Sequence, residues 1–256
     1  MRLSQEIARL ARGFEQQYED ASELSSIDPS IAKLLVQSGW EDGDKRDDKI
    51  QVSKGSWAAA ALKPSQTSMV LEKAVGMALF MLKTGKVGGD LGALVSKDRH
   101  IMDGHHRWAA TILASGKSGK VGGYGAALKG AELLRVLNLL TVGVFHIRNG
   151  KPGKGNLGSF TETKVRKMLL EMTVSGIRGE FPWSADDVKE VLESSFGSVE
   201  DGIAEISGNA KLVTKTVPSW APDRRDMPVI DPGNVPKAVG LMEKGVIDWN
   251  DPYTAE

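Results

Sequence analysis

The feature that most constrains this chain is a change of hydrophobic period at Gly104. Before it, short apolar runs at residues 91–95 and 100–102 read as strands, joined by Ser96, Lys97, Asp98 and Arg99. After it, Trp108, Ile112 and Leu113 recur at helical spacing over 105–113, and Gly116 supplies the stop. A strand that passes through one glycine into a helix must belong to a sheet with helices packed against it. The expected architecture is therefore α+β: a small mixed sheet with packed helices, extended by helical segments at both ends.

The flanking sequence supports that frame. A helix is expected at 70–82, where Leu71, Val75, Leu79 and Leu82 share a stripe ahead of Gly85. Residues 57–62 read as a short apolar strand broken by Lys63, Pro64, Ser65 and Gln66. Residues 115–125, rich in Gly and Lys, read as a mobile loop, followed by a helix at 133–140 and a strand at 142–147. A second Gly/Lys loop covers 150–155.

Helices are then expected at 161–172, at 184–196 with a capping-box-like Ser184 and Asp187, at 199–206 and at 235–244. At the other end, Leu3, Ile7, Leu10 and Phe14 have helical spacing, and a short helix fits 29–37 behind Pro29. The stretch EDGDKRDDK, residues 41–49, has no apolar residue and reads as a linker. Three parts follow: an arm and linker over 1–49, a core over 50–150 and a helical extension over 151–256.

Composition narrows the chemistry. The 256 residues include no Cys, which removes disulfides, thiolate metal sites and a Cys nucleophile. No run approaches the roughly 20 apolar residues of a membrane helix, so a soluble, cytoplasmic protein without membrane contact is expected. Lys+Arg 33 and Asp+Glu 33 balance overall. Locally, however, residues 15–48 are acidic, while Lys117, Lys120, Lys129, Arg135, Arg148, Lys151 and Lys154 face the single acid Glu132 within 115–154.

The chemistry-bearing residues are Asp103, Gly104, His105, His106 and Arg107. At a strand-to-helix corner the first-turn N–H groups and the helix dipole favour an anion, and a phosphate suits the place. Arg107 offers a planar fork of donors, the two rings can donate, and Gly104 allows close backbone approach. Asp103 is placed to accept a proton or to hold Mg²⁺ beside the phosphate. The bland alternative is a turn followed by a solvated first helical turn. Zinc is disfavoured, since adjacent histidines on a helix point about 100° apart.

His100 is expected at the pocket edge, and His146 as a core histidine within a strand. Arg224 and Arg225 read either as a solvated turn or as second anion contacts brought over by a tail folding back across the site. Trp183, Trp220 and Trp249 read as packing anchors.

The segment VSKDRHIMDGHHRWAATILA, preceded by LKPSQ at 62–66, resembles the ParB/sulfiredoxin-like superfamily over about residues 50–150. Chromosome-partition members of that superfamily carry a Gly, Glu, Arg, Arg type box and a helix-turn-helix domain, neither of which is present. Sulfiredoxins have a cysteine where this chain has His105, which excludes sulfinic-acid repair. The free-serine-kinase-like branch has an Asp, Gly, His, His, Arg box, matched at Asp103 to Arg107.

That resemblance implies binding of ATP or another nucleotide, with Mg²⁺, and phosphoryl transfer to a hydroxyl. Gly104, His105, His106, Arg107 and Gln66 would bind nucleotide, and Asp103, His105 and His106 would be catalytic. The branch uses a glutamate as base in the loop after its first strand. Here Gln66 stands there, with Glu72 further on, so Asp103 becomes the preferred base. The acceptor would be a small metabolite or nucleic acid, and Lys117, Lys120, Lys151 and Lys154 would be the contacts to DNA. The alternatives are a ParB-like nuclease and a non-catalytic nucleotide- or DNA-binding module.

Overall fold

The computed structural model describes residues 29–39, 43, 48–147, 157, 160–177, 182–228, 230 and 233–249. The helix expected over 3–14, most of the 41–49 linker and the 150–155 loop, with Arg148, Lys151 and Lys154, lie outside the described residues.

Five strands form one mixed sheet: β1 (Val52–Ala58), β2 (Lys63–Pro64), β3 (Gly89–Val95), β4 (His100–Asp103) and β5 (Lys120–Ala126), in the order β1-β5-β3-β4-β2. β1 runs antiparallel to β5, β5 parallel to β3, β3 antiparallel to β4, and β4 parallel to β2. The helices are α1 (Pro29–Ser38), α2 (Leu71–Thr84), α3 (His105–Ser115), α4 (Gly130–Gly143), α5 (Glu162–Ser175), α6 (Ala185–Phe196), α7 (Val199–Val213) and α8 (Val235–Lys244). This is the expected α+β mixed sheet with packed helices. Among the described residues no helix is long and apolar enough to cross a membrane.

Alternation along the strands feeds a separate core on each face of the sheet. Ala93, Val95, Ile101 and Val121 point into one with Trp108 and Leu113 of α3, joined by Val165 and Leu169 of α5, Val188 of α6 and Ile206 of α7. Leu94, Met102 and Ala126 point into the other, with α4, Leu35 of α1 and Met242 of α8. Side chains of α5 to α8 are thus part of the same two cores as the sheet. Trp108, fully buried, donates its indole N–H to Ala59 O at 2.8 Å and fixes α3 against the 3₁₀ turn Ala59–Ala61.

Four local expectations are corrected. The strand expected at 57–62 ends at Ala58, and its Ala run makes the 3₁₀ turn, while Lys63 and Pro64 pair with β4. The loop expected at 115–125 contains the interior strand β5. There glycine serves close packing, since a Cβ on Gly123 would overlap the Ala93 backbone where the β3–β5 register shifts. The strand expected at 142–147 is absent: α4 continues to Gly143, and His146 is exposed at φ 56 rather than a core histidine. The helix expected to end near Ile206 runs to Val213, with Asn209 Nδ2 donating to Leu113 O at 3.2 Å.

Candidate functional site

β4 and β2 run parallel, so the Gly104 corner and the loop following Pro64 emerge side by side at one end of the sheet. Gly104 sits at φ 96, in the left-handed region, and turns the chain from β4 into α3 without a side-chain cap. A Cβ there would stand 3.3 Å from Arg107 Nη2, because the guanidinium folds back over the glycine.

Arg107 is held at two points. Nη2 donates to Asp103 Oδ2 at 2.8 Å, one helical turn away, and Nη1 donates to Leu91 O at 2.6 Å. The Asp103 and Arg107 side chains are 28% and 24% exposed, so the ion pair is partly open to solvent.

The two imidazoles grip one loop. His105 Nε2 accepts from Ser65 N–H at 3.2 Å, and His106 Nε2 accepts from Val70 N–H at 3.2 Å. Side chains about 100° apart on the helix thereby reach the two ends of segment 65–70. These Nε2 atoms are acceptors, so donation from either neutral ring falls to Nδ1. His105 is buried, and burial first, then the charges of His106 and Arg224, push its pKa down to about 3. It is therefore a neutral ring with its proton assigned to Nδ1, and Ser65 Oγ lies 3.3 Å from Nε2 while donating to Ile101 O at 2.7 Å. His106 is half-buried at the surface of the corner.

Gln66 lies within the gripped loop, buried, with Nε2 donating to Ser68 O at 2.8 Å. A C-terminal segment does fold back over this loop. Thr67 N–H donates to Pro222 O at 2.9 Å and Ser68 Oγ donates to Asp223 Oδ2 at 2.8 Å. Burial pulls the Asp223 carboxyl upward, but the Arg225 N–H, the Ser68 hydroxyl, the Arg225 charge and the Thr67 hydroxyl outweigh it and hold the pKa below the usual value. Arg224 N–H donates to Ser68 Oγ at 3.3 Å, and its charge is felt at His105. Arg225 instead turns to Asp226, 3.3 Å away.

The structure thus brings together Gln66, Asp103, Gly104, His105, His106, Arg107 and Arg224. It does not bring Lys117 to them: this exposed residue follows the far end of α3, about 15 Å along the helix from the corner. Lys120 is exposed at the start of β5. Sequence reasoning missed Ser65, Ser68, Asp223 and the Leu91 carbonyl. The Ser residues next to Pro64 offered a weak signal, whereas Asp223, 155 positions from Ser68, offered none.

Among the described residues no group of three His, Asp or Glu side chains forms a metal cage. Asp103 is the corner's carboxylate, and one such group suits Mg²⁺ that arrives with phosphate oxygens.

Comparison of the chain with protein-family models, with curated proteins and with solved structures finds no match.

Proposed function

We propose that the chain is a nucleotide-dependent phosphotransferase working at the Gly104 corner. The observation that carries this reading is the Asp103–Arg107 pair, 2.8 Å long, folded over the glycine that starts α3. A nucleotide phosphate has more charge than a carboxylate and matches the guanidinium fork, so it displaces Asp103 from Arg107. Asp103 is then released beside the bound phosphates.

In the reaction, the acceptor hydroxyl passes its proton to an Asp103 Oδ atom and its oxygen bonds to the terminal phosphorus. The bond from that phosphorus to the bridging oxygen breaks, and the departing nucleotide keeps the electron pair. His106 and Gln66 hold the nucleotide against the 65–70 loop. His105, neutral and buried, acts as a positioning residue through Ser65. Mg²⁺ would offset the phosphate charge, and where Asp103 held the ion it would not also serve as the base. The acceptor is a small hydroxy metabolite or nucleic acid, and for the latter the exposed Lys117 and Lys120 are the described cations that would contact the strand.

A non-catalytic nucleotide-binding module is the second reading, favoured by the use of both imidazoles as acceptors for backbone N–H groups. The test is incubation with terminally labelled ATP, Mg²⁺, a panel of hydroxy metabolites and single-stranded DNA. Label on an acceptor, lost in Asp103→Asn and Arg107→Ala, is the expected result. Strand scission would mean a nuclease, and ATP binding without transfer the module. Unchanged ATP affinity in Arg107→Ala would falsify the phosphate assignment itself.

A further inference from the structure

A cleft of about 780 Å³ opens at the other end of the sheet, between the start of β1, the end of β5, the β3–β4 turn and α8. Lys49, Lys97, Arg99, Trp57, Ser53 and Glu243 line it together with the backbone of 125–127. Its volume falls within the range of small-ligand sites, about 300–1,000 Å³.

The cations are disposed toward solvent. Lys49, Lys97 and Arg99 are exposed, and among the described residues no carboxylate lies within ion-pair distance of any of them. Among the described lining residues, three cations against Glu243 give a formal charge of about +2, which complements a phosphate monoester of about −1.5 to −2.

Arg99 has φ 69, a left-handed conformation that glycine adopts without penalty and an arginine does not. The turn enforces it: Arg99 N–H donates to Ser96 O at 2.9 Å, Lys63 N–H donates to Arg99 O at 2.9 Å, and Lys97 N–H donates to Leu128 O at 2.8 Å. Asp98 anchors it further, its Oδ1 accepting from Ser96 Oγ at 2.6 Å and from Gly130 N–H at 2.9 Å. A hairpin that would suit glycine at this position instead presents a guanidinium on a rigid support.

Trp57 supplies a flat apolar wall. A Cβ added to Gly55 or Gly125 would come within 2.8 Å and 2.9 Å of its six-membered ring, so the indole rests on two glycines of paired strands and lines the cleft. An aromatic ring bedded in this way is a platform for stacking a base.

We propose that this cleft is a binding site for a nucleoside monophosphate, its base stacked on Trp57 and its phosphate held by Lys97, Arg99 and Lys49. The site is separate from the Gly104 corner and does not rest on the phosphotransferase reading.

The test is calorimetric titration of the full chain with AMP, with adenosine and inorganic phosphate as separate arms, in wild type and in Arg107→Ala. The expected result is an AMP binding event that survives Arg107→Ala and exceeds that of either fragment. Arg99→Gly relieves the backbone, so its melting temperature should equal or exceed wild type while AMP affinity falls roughly tenfold or more. Trp57→Leu should weaken AMP by roughly ten- to a hundredfold and leave inorganic phosphate unaffected. Lys97→Ala, at an exposed position, should weaken both AMP and phosphate. Absence of AMP binding at millimolar concentration overturns the proposal. So does binding that disappears in Arg107→Ala but persists in Arg99→Gly, a pattern that would place the nucleotide at the Gly104 corner and leave the phosphotransferase reading standing.

Discussion

The two ends of the sheet use their basic side chains in opposite ways. At the Gly104 corner, Arg107 is bound to Asp103 and to Leu91 O, and both imidazoles accept from the backbone of 65–70. At the β3–β4 turn, Lys97 and Arg99 form no ion pair among the described residues and border an open cleft. A cluster of recognisable residues can thus serve to position a loop, while a turn without any motif keeps its charge available. Residue type alone does not say whether a donor is free to meet a ligand; its partners do.

That contrast can be broken most forcefully at His105. His105→Ala removes a buried ring and orphans the Ser65 N–H, and should lower unfolding free energy by about 3 kcal/mol in urea denaturation. A loss under about 0.5 kcal/mol would show that the corner does not depend on this contact.

Acid gives the next largest effect. The His105 pKa is about 3 when folded against 6.5 as the ordinary value, so between those limits the unfolded chain holds a proton that the folded ring refuses. Its contribution is insensitive to pH above 6.5, and stability then declines as pH falls from 6.5 toward 3, because the unfolded chain binds a proton that the folded ring does not. His105→Gln keeps an acceptor for Ser65 but cannot titrate, and should flatten that part of the pH–stability profile. An unchanged acid limb in His105→Gln would assign the sensitivity elsewhere.

At the opposite end the sign reverses. Arg99→Gly relieves a left-handed arginine and should raise stability by about 1 kcal/mol, measured by thermal melting. Asp103→Asn comes last: the pair is partly exposed and Arg107 keeps Leu91 O, so the cost should be about 0.5 kcal/mol, although ATP should bind more tightly once the competing carboxylate is neutral. A cost several times larger would show the pair to be a structural clasp rather than an exchangeable one.

Much of the fold was legible because its signals are local. α2 ends on Gly85 at φ 65, α6 begins with the Ser184 and Asp187 capping box, and α3 begins at Gly104, each close to where spacing and capping residues placed it. β5 was not legible, since Gly122, Gly123 and Gly125 resemble a flexible loop until the neighbouring strands that need them are seen. The continuation of α4 through Val142 and Gly143 was hidden for a related reason. A β-branched run favours a strand locally, but Val142 is buried in a helix and Gly143 lies against the Ala32 backbone of α1.

At the site, the residue types at 103–107 could be read from the chain, but their partners could not. Whether a histidine Nε2 donates or accepts depends on where segment 65–70 passes, and part of the hold on that segment comes from Pro222 and Asp223, far away in sequence.

This last contact also orders events during synthesis. The Ser68 hydroxyl waits for a carboxylate made 155 residues later, a delay of roughly ten to thirty seconds at ordinary ribosomal rates. The sheet and α3 can assemble in that interval, yet the loop over the corner is secured only once Asp223 has been made. A nascent or prematurely terminated polypeptide ending before Pro222 therefore carries every residue of the Asp103 to Arg107 box without the bolt that sets its geometry.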